Sequence, residues 1–370
     1  MIFYSEKNVY EAAKERIKGI FERHKDVPIV VSFSGGKDST VVLNVTKEVM
    51  DELGIKKIPV FWLDQEIESP HVVEYMHKIQ KLPWVDLYWV QSEFPKYNAH
   101  LGKWDNCWPK NGTPMREKEP NNPYVDFDLT DYKKYSTEYG FFLHKIFGDY
   151  VTIGGLHIDE STTRRTSLLK KVNDVSSCPF TGDLGGGIYY PLFDWSVKDI
   201  WCYIFRNRLD YCKLYNYMFA FMPLEKCRVG SFWHEQSHTA IKLMKEISPY
   251  FYDKVANRLG GVSTTNQTYE LLISFIKGLP PYFQTWQEYV EYLIENIMPI
   301  EFREKMIKRY NQSRNRFLPL VESEDKKSYV EERLGHAAAV CVVKMDHGMR
   351  HLANVDFILN KEVSCKLKNK

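Results

Sequence analysis

Hydrophobic residues in the first ninety positions alternate between helix-like and strand-like patterns. Apolar residues recur at helical spacing over 8–25 and form short buried-strand runs at 28–33, 57–64 and 85–90. The segments between these runs have helical periods, and Gly54 is placed to end the first of them. Strands that alternate with helices on crossovers of this length predict an α/β fold with a parallel sheet covered by helices on both faces.

The pattern is interrupted at about 91–135, which is dense in Pro, Asn, Trp and charged residues and has no period. A stretch of this length without regular structure is usually functional or mobile, so we predict an irregular insertion. Periodicity returns with a strand at 149–155 and continues through 188–207, where Ser196 and Asp199 are spaced as a helix-capping pair.

Beyond about Trp233 the chain has helical periods, as at 239–247, 267–278 and 285–297. We therefore predict two domains. The first is an α/β domain over 1–233, and the second is a mostly helical C-terminal region over 234–370.

Composition narrows the functional classes only slightly. The 370 residues are 44% hydrophobic and 26% charged, as in ordinary globular proteins, and the net charge of +2 does not indicate a partner. The seven cysteines include no Cys-x-x-Cys pair, which argues against a disulfide framework or a Cys-based zinc site. No apolar run approaches the roughly 20 residues of a membrane span, and the amphipathic start is unlike a signal peptide, so we expect a cytoplasmic protein.

The loop "SFSGGKDST" at 32–40 follows the first predicted strand and has the chemistry of a phosphate site. Adjacent glycines allow backbone N–H groups to approach an anion, and the helix that follows directs its positive end to the same place. Lys37 adds a positive charge, while the spacing differs from the GxxxxGK[ST] loop. Asp38 beside a phosphate indicates either Mg²⁺ coordination or helix capping. The alternative is an ordinary glycine turn.

These residues resemble the SGGxDS signature of the PP-loop ATP pyrophosphatase superfamily, and within it the phosphoadenosine-phosphosulfate (PAPS) reductase-like family. The similarity extends over about 28–255. It rests on four further stretches: "FWLDQEIESPHVVEYM", "IGGLHIDESTTRR", "YYPLFDWSVKDIWCYI" and "CRVGSFWHEQSHTAIKLMKEISPYFYDKVAN". The resemblance implies an adenine nucleotide alpha-hydrolase-like sheet, and the helical periods of 234–370 predict a C-terminal helical appendage to it.

The resemblance also implies site residues. Nucleotide-binding positions are Ser32, Ser34, Gly35, Gly36, Lys37, Asp38, Ser39, Asp64, Gly154 and Gly155. Catalytic candidates are Lys37, Asp38, Arg164 and Arg165, and the candidates for Mg²⁺ are Asp38 and Asp64. Simpler readings remain open at this point: Asp64 could cap a helix, the glycines could end a strand, and the two arginines could be solvated.

The sequence departs from the family in its sulfur chemistry. It has no Glu-Cys-Gly-x-His stretch, and Ser231 and His234 stand where relatives carry a Cys-x-x-Cys pair. Cys227 is either a catalytic thiol or a half-buried structural cysteine. We therefore expect no iron–sulfur cluster, and the departures argue against a sulfonucleotide reductase and against a simple tRNA thiolase.

Two C-terminal clusters are also candidates. The basic stretch 303–316 is compatible with a nucleic-acid surface or with a solvated helix face. His347 and His351 are four positions apart, with Arg350 between them, and would share one face of a helix. They could bind a metal ion or be two exposed side chains.

The preferred prediction is an enzyme that binds ATP with Mg²⁺, adenylylates an unknown acceptor and releases pyrophosphate. One alternative is a protein that binds PAPS or another sulfonucleotide for transfer or reduction. Another is a nucleotide-dependent regulatory or nucleic-acid-binding protein without turnover. Family analogy also makes a ParB-like protein partner conceivable.

Overall fold

A computed structural model describes most of the chain, and the account below is restricted to that part. The described residues are 7–159, 168, 178–219, 224–233, 238–263, 279, 283–296, 298, 300–343 and 348–367. They form two compact units. The first unit comprises Met1–Pro95 and Asn106–Phe232, and the second comprises Lys96–Asp105 and Trp233–Lys370.

A six-stranded sheet organises the first unit, in the order β3-β2-β1-β6-β8-β7. The strands in chain order are β1 (Ile29–Ser32), β2 (Ile58–Leu63), β3 (Val85–Val90), β4 (Phe94–Asn98), β5 (Lys103–Cys107), β6 (Tyr150–Ile153), β7 (Phe180–Asp183) and β8 (Gly186–Tyr189). The pairs β3–β2, β2–β1, β1–β6 and β6–β8 are parallel, and β7 is antiparallel to β8 at the edge.

Helices flank this sheet. They are α1 (Val9–Arg23), α2 (Lys37–Leu53), α3 (Pro70–Gln80), α4 (Glu138–Phe147), α5 (Val197–Arg206) and α6 (Leu214–Phe219). Gly54 ends α2 in the left-handed conformation, as the sequence predicts. The predicted Ser196–Asp199 capping box is present at the start of α5. The predicted α/β fold, a mostly parallel sheet with flanking helices, is confirmed.

Two local predictions need correction. The stretch 91–135 contains β4 and β5, which form a two-stranded sheet, so it is not irregular throughout. The sheet also has an antiparallel edge, because the chain turns at Gly185, whose φ is +80°, and β7 pairs back onto β8. These strands are only four or five residues long, so the alternation of apolar and polar residues along them is too short to be recognised in the sequence.

The second unit is helical where it is described, with α7 (His238–Ile247), α8 (Pro249–Arg258), α9 (Trp286–Asn296), α10 (Ile300–Phe317), α11 (Glu324–Val343) and α12 (Arg350–Leu367). Its core gathers apolar residues from the last four of these helices, among them Val290, Met306, Leu334 and Leu352. The predicted C-terminal helices are therefore present, although the segment 267–278 lies outside the described residues. Within the described part, no helix combines the length and the apolar character needed to cross a membrane.

Candidate functional site

The glycine-rich loop lies where the order of the strands reverses. From β1 the chain continues to β2 and β3 on one side, and β6 pairs with β1 on the other side. In open parallel sheets, ligands bind in the crevice outside the carboxyl ends of the strands at such a switch point. The loop after β1 and the segment after β6 therefore face the same crevice.

The two adjacent glycines serve different purposes. Gly35 has φ of +74°, and a Cβ there would lie 3.1 Å from Cγ1 of Val72. Gly36 has φ of −80° and is the N-cap of α2. A Cβ on Gly36 would find Ser34 Oγ at 3.4 Å as its nearest atom, which is ordinary contact. The first glycine is required by the backbone, whereas a methyl group on the second would be in ordinary van der Waals contact with Ser34, Tyr215 and Val229.

Hydroxyl groups brace the loop from inside. Ser39 Oγ donates to the carbonyl oxygen of Gly36 at 2.9 Å, and Thr40 Oγ1 donates to the same oxygen at 3.0 Å. Ser34 Oγ lies 3.3 Å from Ser39 Oγ, and Ser34 is exposed. Ser32, the last residue of β1, pairs in register with Phe61. Ser34 is thus the loop hydroxyl most accessible to a ligand.

The start of α2 directs backbone N–H groups into this region. The first three helical N–H groups, those of Lys37, Asp38 and Ser39, have no acceptor within the helix. The Lys37 N–H donates to Tyr215 Oη at 2.9 Å. The positive end of the helix dipole and these N–H groups favour a bound anion.

A buried charged group follows the loop. The Lys37 ammonium donates to Asp38 Oδ2 at 2.9 Å, and Lys37 is only 2% exposed. His157, which is fully buried, lies with Nε2 3.1 Å from Asp38 Oδ1. Burial alone would raise the pKa of Asp38, but the hydrogen bond from His157 and the charge of Lys37 outweigh it, and the pKa is lowered. Asp38 is therefore ionised and holds both neighbours.

Gly155 packs directly against the first turn of α2. A Cβ on this residue would lie 2.7 Å from the carbonyl carbon and oxygen of Asp38 and 2.9 Å from the nitrogen of Ser39. At Gly154 a Cβ would meet the flexible end of Ile188 at 2.6 Å. The structure therefore requires glycine at 155 for close backbone packing. The predicted contact of either glycine with nucleotide stays a prediction.

Asp64 follows the carboxyl end of β2 and is fully buried. Its Oδ2 accepts hydrogen bonds from Trp89 Nε1 at 2.7 Å and Gln91 Nε2 at 3.0 Å, and forms an ion pair with Arg116. Its Oδ1 accepts from the N–H of Glu66 at 2.9 Å. Asp64 thus anchors the residues around it. Its predicted contact with a metal or a ribose stays a prediction.

Glu66 extends the same network into the insertion. It is fully buried with φ of +67°, and its carboxylate accepts from the N–H of Trp108 and the N–H of Met115, both at 2.8 Å. The Arg116 guanidinium donates to the Glu66 carbonyl oxygen and lies over the Trp108 ring at 4.8 Å. Two buried carboxylates therefore order residues 108–116 without regular secondary structure.

Cys227 is fully buried in the segment that follows α6. Burial raises the pKa of its thiol, although the nearby Lys37 charge opposes this effect. The thiol is therefore protonated near neutral pH, as expected for a structural cysteine. Ser231 is half-buried.

The other predicted residues lie away from the glycine-rich loop or outside the residues that the structure describes. Arg164, Arg165, His234 and His347 are outside the described residues. In the basic stretch 303–316, Arg309 pairs with the buried Asp356 and Arg314 pairs with Glu331, so part of its charge is neutralised within the helical unit. Among the residues that the structure describes, no three His, Cys, Asp or Glu side chains are grouped to hold a metal ion.

Sequence reasoning missed His157, Tyr215 and Arg116 as parts of the site. His157 follows Gly155 by two positions in a stretch that already carries the family resemblance, so that stretch offered a signal. Tyr215 is 178 positions from the lysine it caps, and no local pattern indicates that contact.

Comparison with known proteins finds a family match for most of the chain. The model of the phosphoadenosine phosphosulfate reductase domain matches residues 28–267, which is more than half of the chain. A domain of unknown function, DUF3440, matches residues 221–322. The uncharacterized protein YbdN of Escherichia coli strain K12 is 28% identical over 320 residues, which cover 79% of this chain and 76% of YbdN.

Two solved structures match part of this chain at low identity and low TM-score. FMN adenylyltransferase from Candida glabrata in complex with ATP is 14% identical, with a TM-score of 0.37, over 63% of this chain and 65% of that chain. The match thus spans just under two thirds of the adenylyltransferase. Phosphoadenylyl-sulfate reductase from Candida auris, in a phosphate complex, is 12% identical, with a TM-score of 0.33, over 62% of this chain and 97% of that chain.

Proposed function

This chain belongs to the phosphoadenosine phosphosulfate reductase domain family, and on that premise we propose that it is a PP-loop enzyme that binds ATP with Mg²⁺. It adenylylates an acceptor and releases pyrophosphate. Nucleotide binding is the property that the family and the fold support. The reaction is the finer proposal.

The observation that carries the proposal is the loop at the switch point. The helical N–H groups of Asp38 and Ser39 are preorganised donors at the start of α2, and the buried Lys37–Asp38–His157 group fixes the first turn of that helix. Such preorganised donors stabilise charge that develops during a reaction and need no rearrangement at that moment.

In the proposed reaction, an oxygen of the acceptor attacks the α-phosphorus of ATP. The bond to the bridging oxygen breaks, and pyrophosphate leaves with the electron pair. The N–H groups of the loop hold the β- and γ-phosphates and stabilise the negative charge that forms on the leaving pyrophosphate, while Lys37 keeps Asp38 and the first turn of α2 in place.

The described residues do not fit a Mg²⁺ site preformed by protein ligands. Both oxygens of Asp38 accept hydrogen bonds, from Lys37 and His157, and both oxygens of Asp64 are also engaged. We therefore propose that Mg²⁺ enters with the phosphates of the nucleotide as part of the substrate. No step is assigned to a protein-held metal.

The direct test is to incubate the protein with ATP and candidate acceptors and to measure AMP and pyrophosphate. We expect both products with the natural chain and their loss in Lys37→Ala. Lys47→Ala is the matched control, because Lys47 lies on the same helix and pairs with Asp51 outside the loop. Intact ATP after screening carbonyl, amide and acid acceptors would count against the proposal.

The family match also favours one alternative, a sulfonucleotide ligand. The buried, protonated Cys227 and the serine at position 231 argue against thiol chemistry at those two positions. Tight binding of adenosine 3′,5′-bisphosphate with weak binding of ATP would select the sulfonucleotide. The reverse preference would select ATP.

A further inference from the structure

The aromatic segment that follows β8 reaches the phosphate loop through Tyr215. Tyr215, on α6, is buried, and its hydroxyl oxygen accepts the N–H of Lys37 at 2.9 Å. A Cβ built on Gly36 would lie 3.5 Å from the same hydroxyl. The Tyr215 hydroxyl therefore links α6 with the start of α2.

The ring of Tyr215 is held in turn by Trp201. The two rings meet edge to face, with centroids 5.1 Å apart and an interplanar angle of 87°. Trp201 also stacks on Phe205 at 5.4 Å and meets Tyr211 edge to face at 5.5 Å. Its indole N–H is buried without a hydrogen-bond partner. Trp201 thus contributes through its ring faces and edges, and it belongs to the "DWSVKDIW" stretch that identified the family.

We propose that Tyr215 is a positioning residue for the phosphate loop: its hydroxyl fixes the first N–H group of α2, and Trp201 holds the tyrosine in place. This inference rests on the proposed function, because it concerns the same anion site. It assigns a role in the site to an aromatic stretch that otherwise only packs.

The physical argument concerns which N–H groups a phosphate can use. Tyr215 occupies the Lys37 N–H, so the N–H groups of Asp38 and Ser39 are those left for an anion at this helix end. Burial and the negative charge of Asp38 raise the pKa of Tyr215 well above its usual value, so the hydroxyl stays neutral. A neutral acceptor satisfies the N–H without competing electrostatically with a bound phosphate.

The N–H groups at the start of α2 therefore point in a fixed direction before any ligand binds. Removing the hydroxyl leaves a buried N–H without a partner and frees the first turn of α2 to shift. Sites of this kind lose function when their supporting residues no longer hold the donors within about 0.5 Å of the productive geometry.

The test uses the full chain and calorimetric titration with three probes: inorganic pyrophosphate, α,β-methylene ATP and adenosine. Tyr215→Phe removes the hydroxyl and keeps the ring on Trp201. We expect it to weaken binding of both phosphate-bearing probes by about five- to thirtyfold and to leave adenosine binding unchanged. Tyr217→Phe is the matched control, since Tyr217 lies on the same helix and is 45% exposed. It should bind all three probes like the natural chain.

The pattern across the probes separates positioning from a merely structural role. Pyrophosphate binding within twofold of the natural chain would overturn the inference, as would an equal loss for adenosine. If Tyr215→Phe does not fold, Trp201→Phe keeps the hydroxyl and loosens its support. We then expect pyrophosphate binding to weaken by about two- to tenfold, and an unchanged affinity would overturn the inference.

Failure of the proposed function is distinguishable from failure of this inference. If the natural chain binds pyrophosphate but not the ATP analogue, the ATP proposal fails while Tyr215 is still tested on pyrophosphate. If it binds neither phosphate probe, both fail. If it binds both and Tyr215→Phe binds them equally well, only the positioning role is refuted.

Discussion

Replacing Gly36 with alanine should separate the stability of the protein from its affinity for phosphate. Its φ of −80° suits any L residue, and the nearest atoms to the new methyl group would lie 3.4 Å or more away. Alanine is a poorer N-cap than glycine, which costs about 0.5–1 kcal/mol. Alanine also restricts the conformations of the unfolded chain, which raises the free energy of unfolding by about 0.4–1 kcal/mol. The net change in the free energy of unfolding should therefore be small.

The adjacent Gly35→Ala change should behave differently. Its φ of +74° costs an L residue about 1–2 kcal/mol. The new methyl group would also lie only 3.1 Å from Val72. For a unit of this size we expect Tm to fall by about 2–6 °C, against about 2 °C or less for Gly36→Ala. Gly54→Ala supplies the control, because it has φ of +71°, open space around it and no place in the loop.

The assay pairs thermal unfolding with titration of pyrophosphate. Gly36→Ala should keep its Tm but bind pyrophosphate on the order of ten- to a hundredfold more weakly, since the methyl group hinders the close approach of an anion to the backbone of the loop. Gly54→Ala should show a lower Tm with unchanged binding. The reasoning is refuted if Gly36→Ala unfolds as early as Gly35→Ala, or if it binds pyrophosphate like the natural chain.

Three further predictions concern buried groups. Arg116→Met removes the ionic partner of the buried Asp64, and we expect urea denaturation to show a loss of about 3 kcal/mol; an unchanged midpoint would contradict the network described above. Because burial raises the pKa of Cys227, iodoacetamide at pH 8 should modify it at least about tenfold more slowly than the exposed Cys202, measured by peptide mass spectrometry. Equal rates would make Cys227 a candidate thiol again. Arg309→Ala breaks an ion pair with a buried aspartate, so it should lower Tm and leave RNA binding unchanged; a weaker, salt-dependent affinity for RNA would instead support a nucleic-acid surface at 303–316.

Sequence patterns predicted most of the secondary structure near the site, since those signals are local. The periods over 8–25 and 28–33 correspond to α1 and β1, and the glycine cluster marks the turn into α2. The edge hairpin of β7 and β8 was not predicted, because a four-residue strand carries little alternation. The packing of 108–116 was not predicted either, because it depends on carboxylates that lie more than 40 positions away.

By itself, the sequence determined the glycine-rich loop, the family and the alternation of strands and helices, because each depends on residues close together in the chain. The tertiary structure decided which groups surround the loop. It brought His157 to Asp38 and Tyr215 to the Lys37 N–H, and it turned Asp64 toward Arg116. The strand order causes this, since pairing β1 with β6 joins segments more than 100 positions apart at one crevice. Contacts of that kind leave no period or spacing in the sequence.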